Sequence, residues 1–434
     1  MSSIYRRSSF SHAWKTILCV GCLLAFTFTA ISPVAIRAAE EVREPSDFRL
    51  KAEDRVALVG ATFIERDRHY GYFETMLRIN HPGMPLSFRN MAWPGDTTHV
   101  RLRPLNYGSF EENLEKQKPT VVIASYGVND AFEGTQKLET FLNGYRDTLS
   151  TFDKLKLRTL LVSPPPFENV PGAPYSLDSQ NESLQEYVNA TGQLAQEKQV
   201  SFINLFQPMY HPGESNPYPL TDNGLHFTPF GYWQVSQVFA EQLGYQPEKW
   251  SIEINAGKRK VMIDGVRIRD LQSTSTLVSF KAIDDRLPLA PPNTAPPGVE
   301  LPHPRMLTVA NLEPGDYVLT IDGKEIATGT ADEWANGMVL DRGPQFDQSN
   351  ELREVVIYKN DMFFYKWRAH NGEYIYGRRA STSDNYDPTK DGGNSGNPTF
   401  PQEMSELQRL IDESDHKASR LSKPASHEFV LTRQ

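Results

Sequence analysis

Cysteine is nearly absent from this chain of 434 residues: Cys19 and Cys22 are the only two, and both lie inside an N-terminal leader. Once the leader is removed no thiol remains. That excludes disulfide staples, thiolate metal sites and a cysteine nucleophile. The ten histidines are scattered and no His-Glu-x-x-His occurs, so no metal is expected. Glycine loops of the kind that cradle phosphate are also missing, as are internal repeats, and no cofactor is expected. Excess positive charge is lacking as well. The formal net charge is −9; the leader holds four bases, Arg6, Arg7, Lys15 and Arg37, and no acid, so its removal leaves −13. So acidic a body is a poor partner for nucleic acid or anionic lipid.

The leader itself reads as an export signal. Arg6, Arg7 and Lys15 precede an apolar run over residues 17–30, and small residues follow up to a cleavage point at Ala38. The run is short for a transmembrane helix. The expected mature protein is therefore periplasmic or secreted, with no stable membrane insertion; an uncleaved anchor is the alternative. The apolar stretch before Cys22 is too short for a lipid-attachment box. A length of 434 residues points to two or three domains, and 39% hydrophobic residues supply a sizeable core. The expected organisation is a signal peptide at 1–38, a charged linker at 39–54, an α/β domain at 55–247, a β-rich accessory unit at 248–345, C-terminal helices and a loop at 346–415, and a frayed tail at 416–434.

Within 55–247, apolar strand-like runs at 56–59, 86–89, 120–126, 159–163 and 200–205 alternate with helix-like stretches at 70–79, 136–155, 179–199 and 231–243. Strands alternating with helices imply crossover connections, and so a mostly parallel five-stranded sheet in a three-layer α/β/α domain of flavodoxin-like arrangement. After Trp250 the pattern changes to period two, with turns at Asp264-Gly265 and Asp322-Gly323, which predicts a small antiparallel β unit. A proline-rich extended loop, 287–304, interrupts it. Residues 348–367 carry Leu352, Val355, Val356, Lys359, Met362, Phe363 and Trp367 at helical spacing, a stripe that reads as core packing. A Gly/Asn/Asp/Ser-rich loop, 380–401, leads to a last helix beginning at Pro401.

Four segments carry chemistry, each just after a strand. Gly60-Ala61-Thr62 places a hydroxyl beyond the first strand; Trp93-Pro94-Gly95-Asp96-Thr97 offers a bare backbone N–H at Gly95 after the second. Gly127-Val128-Asn129-Asp130 puts an amide after the third strand, and Asp222-Asn223-Gly224-Leu225-His226 brings an imidazole after the fifth. A doubly wound sheet gathers these strand ends on one rim. Thr62 Oγ1 is then the candidate nucleophile and His226 the base. The Thr62 N–H, the Gly95 N–H and the Asn129 side chain form the candidate oxyanion hole. Each residue also has a plain structural reading: Thr62 as a helix cap, Asn129 as a turn former, His226 as a satisfied rim histidine. Phe63, Trp93 and Phe227 are candidates for the pocket floor or the core.

Taken together, these segments make residues 55–245 resemble the SGNH (GDSL-type) hydrolase family of esterases and acylhydrolases. Val59-Gly60-Ala61-Thr62 corresponds to its Gly-Asp-Ser block, and Trp93-Pro94-Gly95-Asp96-Thr97 to its glycine block. Gly127-Val128-Asn129-Asp130 corresponds to its Gly-x-Asn-Asp block and Asn223-Gly224-Leu225-His226 to its Asp-x-x-His block. The finer pattern, through Ile64-Glu65-Arg66, Trp367-Arg368-Ala369-His370-Asn371 and Tyr374-Ile375-Tyr376-Gly377-Arg378, is similar to exported planctomycete-type members. The resemblance implies a small ester substrate, such as an acyl or acetyl group on a carbohydrate. Two positions depart from the family: Thr62 stands for its serine, with Ala61 for an Asp, and Asn223 stands for the Asp that orients the histidine. Thr carries an extra methyl that restricts χ1, and Asn favours the wrong imidazole tautomer. Asp222, next in the chain, is a possible support. The alternative expectation is a catalytically degenerate member that binds a carbohydrate or acyl ligand.

Overall fold

The apolar runs become five parallel strands: β1 (Arg55–Gly60), β2 (Ser87–Asn90), β3 (Val121–Ser125), β4 (Arg158–Val162) and β5 (Ser201–Ile203), side by side in the order β2-β1-β3-β4-β5. The computed structural model describes residues 48–104, 107–212, 216, 218–258, 260–368 and 400–434. The leader and most of the segment between the last two helices, including Ala369-His370-Asn371 and Tyr374 to Arg378, lie outside the described residues.

Helices of this part are α1 (Thr62–Arg66), α2 (Tyr72–Ile79), α3 (Phe110–Lys116), α4 (Val128–Ala131), α5 (Leu138–Lys154), α6 (Asp178–Lys198), α7 (Phe206–Met209) and α8 (Pro229–Gln242). Period two in the strands decides how they pack. Val56, Leu58, Val121, Ile123, Leu160 and Val162 face α2 and α8, with Phe73 and Trp233 among them. Ala57, Val59, Val122, Ala124 and Leu161 face the opposite way, onto α5 and α6 through Phe141, Tyr145 and Leu184. With both faces covered, the inner strands β1, β3 and β4 carry near-continuous apolar runs, which is why their sequence pattern was strong, whereas the edge strands β2 and β5 are only partly buried. Helix α3 was not anticipated, although Ser109 and Glu112 form a capping box at its start. Gly60 closes β1 at φ +146°, and a Cβ there would lie 2.2 Å from the Ser125 carbonyl oxygen; only glycine lets the chain leave the sheet so close to β3.

The following strands are β6 (Ser251–Asn255), β7 (Lys260–Asp264), β8 (Val266–Ser273), β9 (Leu277–Asp284), β10 (Met306–Ala310), β11 (Asp316–Ile321), β12 (Lys324–Thr330) and β13 (Met338–Val339), with α9 (Ala331–Asn336) before the last. Helices α10 (Pro344–Trp367) and α11 (Phe400–Leu421) precede β14 (Ser426–Arg433). The strands make two sheets, β13-β10-β6-β7 and β12-β11-β14-β9-β8, on one apolar core that includes Trp250, Phe280, Leu319 and Phe429. Three expectations are corrected here. The unit is not wholly antiparallel, since β6 and β10 pair in parallel. The end of the chain is not frayed: β14 sits between β11 and β9 with His427, Phe429 and Leu431 buried. Residues 48–54 are not a free linker, because Phe48 and Leu50 are buried in the α/β core and Asp54 pairs with Arg158.

The accessory elements join the α/β domain in one compact unit, Arg43–Gln434. A buried charge cluster bolts the long helices to it. Arg78 of α2 binds Glu74 at 2.8 Å and Asp415 of α11 at 2.7 Å; Arg89 of β2 meets the second Asp415 oxygen at 2.6 Å. Lys359 of α10, fully buried, donates to the Glu74 carboxylate and to the Phe88 carbonyl at 3.1 Å. Burial pushes its ammonium below the usual lysine range against the pull of Glu74 and Asp415. Among the described residues no helix is long and apolar enough to cross a membrane.

Candidate active site

The rim at the carboxyl ends of β1, β2 and β3 gathers three of the four predicted segments. Thr62 is the first residue of α1, with Ala61 extended as its cap residue and no side-chain cap bond. Its plain reading as the capping hydroxyl therefore does not apply, because the cap position belongs to Ala61. The Thr62 side chain makes no hydrogen bond among the described residues, and its N–H is one of the orphan donors of a helix start.

Trp93-Pro94-Gly95-Asp96 is a tight turn closed by Asp96 N–H to the Trp93 carbonyl at 3.2 Å. Proline at its second position and Gly95 at φ +78° in its third are what a type II turn demands. Nothing lies within 4 Å of where a Gly95 Cβ would be, so the glycine faces open space. The Gly95 N–H has no partner among the described residues. Asn129, in the first turn of α4, donates one amide hydrogen to the Asp96 carbonyl at 2.9 Å, which ties it to this same turn and leaves its second hydrogen free. Arg103 grips the Asp96 carboxylate with two bonds of 2.8 and 2.6 Å.

The fourth segment arrives on a short looped hairpin. Thr221 bridges Phe227, and Asp222 N–H donates to the His226 carbonyl at 2.8 Å. Gly224 and Leu225 line a cavity of about 10 Å³ together with Thr62, Phe63 and Phe227; Val128, next to Asn129, lines it too. The His226 ring is not part of that lining, and no hydrogen bond joins it to Thr62 among the described residues. A larger cleft of about 460 Å³ shares Pro166, Phe167 and Phe227 with the small one and adds Asn169, Tyr210 and Gln234.

His226 is oriented by Asn223, whose Nδ2 lies 3.2 Å from His226 Nδ1. The amide cannot be turned round, because its oxygen already accepts the N–H groups of Leu225 at 3.2 Å and His226 at 3.0 Å. An amide nitrogen only donates, so Nδ1 accepts and a neutral ring carries its proton on Nε2. Burial, with the nearby Arg66 charge, holds His226 below the usual histidine range against the pull of Asp222, so the ring is neutral at pH 7. Asp222, the other possible support, binds Arg66 at 2.9 Å and makes no hydrogen bond to the His226 ring among the described residues.

Sequence reasoning missed several supporting residues. Glu168, in the loop after β4, accepts Leu220 N–H and Thr221 N–H at 2.8 Å each and the Thr221 hydroxyl at 2.6 Å, pinning the histidine loop. It lies in no motif, and no spacing pointed to it. Trp93 does not line either cavity; the guanidinium groups of Arg103 and Arg368 stack on its ring at 4.4 and 4.2 Å.

Compared with known proteins, residues 58–234 match the GDSL-like lipase/acylhydrolase family. No curated protein is similar enough in sequence to match. Among solved structures, the chain is similar to BT4096, described as a gut microbial diltiazem-metabolizing enzyme, at 17% identity and a TM-score of 0.68, over 90% of this chain and 100% of that one. It is also similar to the acetyl xylan esterase AlAXEase, at 18% identity and a TM-score of 0.36 over 43% of this chain and 98% of that one. The acetylxylan esterase Axe2 of Geobacillus stearothermophilus stands at 14% identity and 0.35, over 46% and 98%. The first of these shares the fold across nearly the whole chain, accessory elements included.

Proposed function

We propose that this chain, whose residues 58–234 match the GDSL-like lipase/acylhydrolase (SGNH) family, is a slow ester hydrolase with Thr62 as its nucleophile. The observation that carries this reading is the set of unspent donors on one rim: the Thr62 N–H, the Gly95 N–H and the second Asn129 amide hydrogen. Donors held in place and left unpaired are what a developing oxyanion requires. In the reaction, Thr62 Oγ1 attacks the ester carbonyl while His226 takes the hydroxyl proton at Nε2, which it can do only in the minor Nδ1–H tautomer that the Asn223 amide disfavours, hence the slow rate. The carbonyl oxygen gains the charge and the three donors hold it. Collapse expels the alcohol, protonated by His226, and leaves an acyl-threonine that water hydrolyses by the same steps. The space beside Thr62 is walled by Phe63, Val128, Leu225 and Phe227, which favours a small acyl group such as acetyl. The polar and aromatic cleft next to it, with Asn169, Tyr210 and Gln234, suits a polyhydroxylated alcohol such as a sugar. The charged leader with its apolar run supports an exported protein.

One observation favours a second reading. The Asn223 amide selects the tautomer that cannot accept a proton at Nε2. On that ground the same rim serves as a binding site for an acyl or carbohydrate ligand. Turnover of p-nitrophenyl acetate and acetylated sugars separates the two. Thr62→Ala is expected to lower the rate to background, roughly ten- to hundredfold given a relay already impaired, and Thr62→Ser to keep or raise it. Equal activity in the parent and Thr62→Ala sinks the nucleophile assignment. A parent without turnover that binds a sugar ester saturably, less tightly after Asn129→Ala, establishes the second reading.

A further inference from the structure

We propose that Arg368, at the end of α10, is a positioning residue for the oxyanion turn, so that the C-terminal helix is a working part of the catalytic rim. The proposal rests on the hydrolytic reading of that rim. Gly95 can present its N–H only if the chain entering the turn is held still, and that chain is Ala92-Trp93. Arg368 holds both residues. Its Nη2 donates to the Ala92 carbonyl, and its guanidinium lies 4.2 Å from the Trp93 ring centroid. The other prong, Nη1, is 3.4 Å from Glu65, which lies one helical turn beyond Thr62 in α1. One rigid fork therefore bridges the nucleophile's helix and the strand end that leads into the oxyanion donor.

Neighbouring contacts fix the fork in turn. The Trp93, Tyr107 and Trp367 rings pack edge to face with centroids 5.5 to 6.0 Å apart, and the Tyr107 hydroxyl donates to the Trp367 carbonyl at 2.8 Å. On the far side of the turn, Arg103 holds Asp96 and stacks on Trp93. Arg368 is 7% exposed. Burying an arginine against a carbonyl and one carboxylate is an expensive way to stabilise a helix end, and an apolar side chain of similar volume serves stability equally well. What the fork adds is a fixed separation between α1 and the turn, which matters to a reaction sensitive to displacements of about 1 Å.

The test uses the full mature chain with p-nitrophenyl acetate, measuring kcat, KM and the thermal unfolding midpoint in Arg368→Ala, Arg368→Lys and Arg368→Gln. Expected is a fall in kcat of about ten- to hundredfold with KM changed by less than about twofold. Millimolar guanidinium is expected to restore part of the kcat of Arg368→Ala and none in Asn129→Ala. Should Arg368→Ala fail to fold, Arg368→Lys, which keeps the charge and stem but not the fork, is expected to show the same kcat loss. A folded Arg368→Ala or Arg368→Lys with parental kcat, beside an inactive Thr62→Ala, overturns this proposal alone. Full activity in Thr62→Ala overturns the assignment of this rim as the hydrolytic site and this proposal with it.

Discussion

Asn223→Asp is expected to raise kcat/KM for aryl acetates by roughly 10²- to 10⁴-fold, the upper bound being the loss of about 10⁴ that the reverse exchange causes in a serine-protease triad. The reason is local. One carboxylate oxygen keeps the bonds from Leu225 and His226 N–H that the amide oxygen now accepts. The other replaces an Nδ2 donor, 3.2 Å from His226 Nδ1, with an acceptor. The ring then carries its proton on Nδ1 and leaves Nε2 bare, the state in which it can take a proton from Thr62. A 10⁴-fold gain corresponds to about 5.5 kcal/mol of barrier. The pH profile adds a second reading of the same change. Burial, then Arg66, now holds His226 below its usual range. A carboxylate against Nδ1–H favours the charged ring and raises that value, so the acid limb of kcat/KM is expected to move to higher pH. Rates across about pH 5 to 9 for the parent, Asn223→Asp and Asn223→Ala decide the matter. If the Asp variant is no faster and its acid limb does not move, His226 is not the base.

The positions of Thr62 and Asn129 were legible because β1 and β3, which precede them, are buried on both faces and nearly continuously apolar; the edge strands β2 and β5 are only partly buried, and Gly95 and His226 were legible from their own short motifs. The turn at Gly95 was equally legible, since proline followed by glycine prescribes its own backbone. The orientation of Asn223 was not. Its identity is in the sequence, but which end of the amide meets the imidazole is decided by the Leu225 and His226 N–H groups, a fact of three dimensions. Glu168 was hidden for a related reason: one carboxylate serving three donors on a loop 52 residues away leaves no local pattern.

In the accessory elements, alternation revealed strands but not their partners. The parallel pairing of β6 with β10 joins segments that no turn connects, so period two gave no warning of it. The last strand was misjudged in the same way. Its buried His427, Phe429 and Leu431 do alternate, but a terminal segment with a charged flank is ordered only because β11 and β9 stand on either side. The α10 stripe was read correctly as packed, yet Lys359 within it is no apolar residue; it meets a carboxylate of α2.

That cluster carries the largest expected effect on stability. Asp415→Asn is expected to lower the unfolding free energy by about 3–5 kcal/mol, the range for removing one partner of a buried ion pair. Charge counting explains why this residue matters most. Arg78, Arg89 and Lys359 bring three positive charges, against Glu74 and Asp415, with Asp412 adding only a half-exposed carboxylate at the edge. Losing Asp415 leaves Glu74 and that outer group to face three buried cations. Lys359→Met instead leaves two cations facing two anions, and its cost is expected to be clearly smaller. The pH dependence has a definite sign. Burial pushes the Asp415 carboxyl up, but Lys359, Arg89 and Arg78 outweigh burial and hold it below its ordinary 3.8. Its contribution is therefore present above pH 3.8 and lost as the pH falls further, and Asn at this position removes that part of the acid limb. Urea unfolding of both variants at about pH 7, and of Asp415→Asn down to about pH 3, measures both effects. A larger cost in Lys359→Met than in Asp415→Asn defeats the charge argument. The consequence reaches the proposed catalytic rim, because Arg89 belongs to the strand that runs into the Gly95 turn and Lys359 to the helix that leads to Arg368. A chain that loses Asp415 is expected to lose rigidity there before it unfolds.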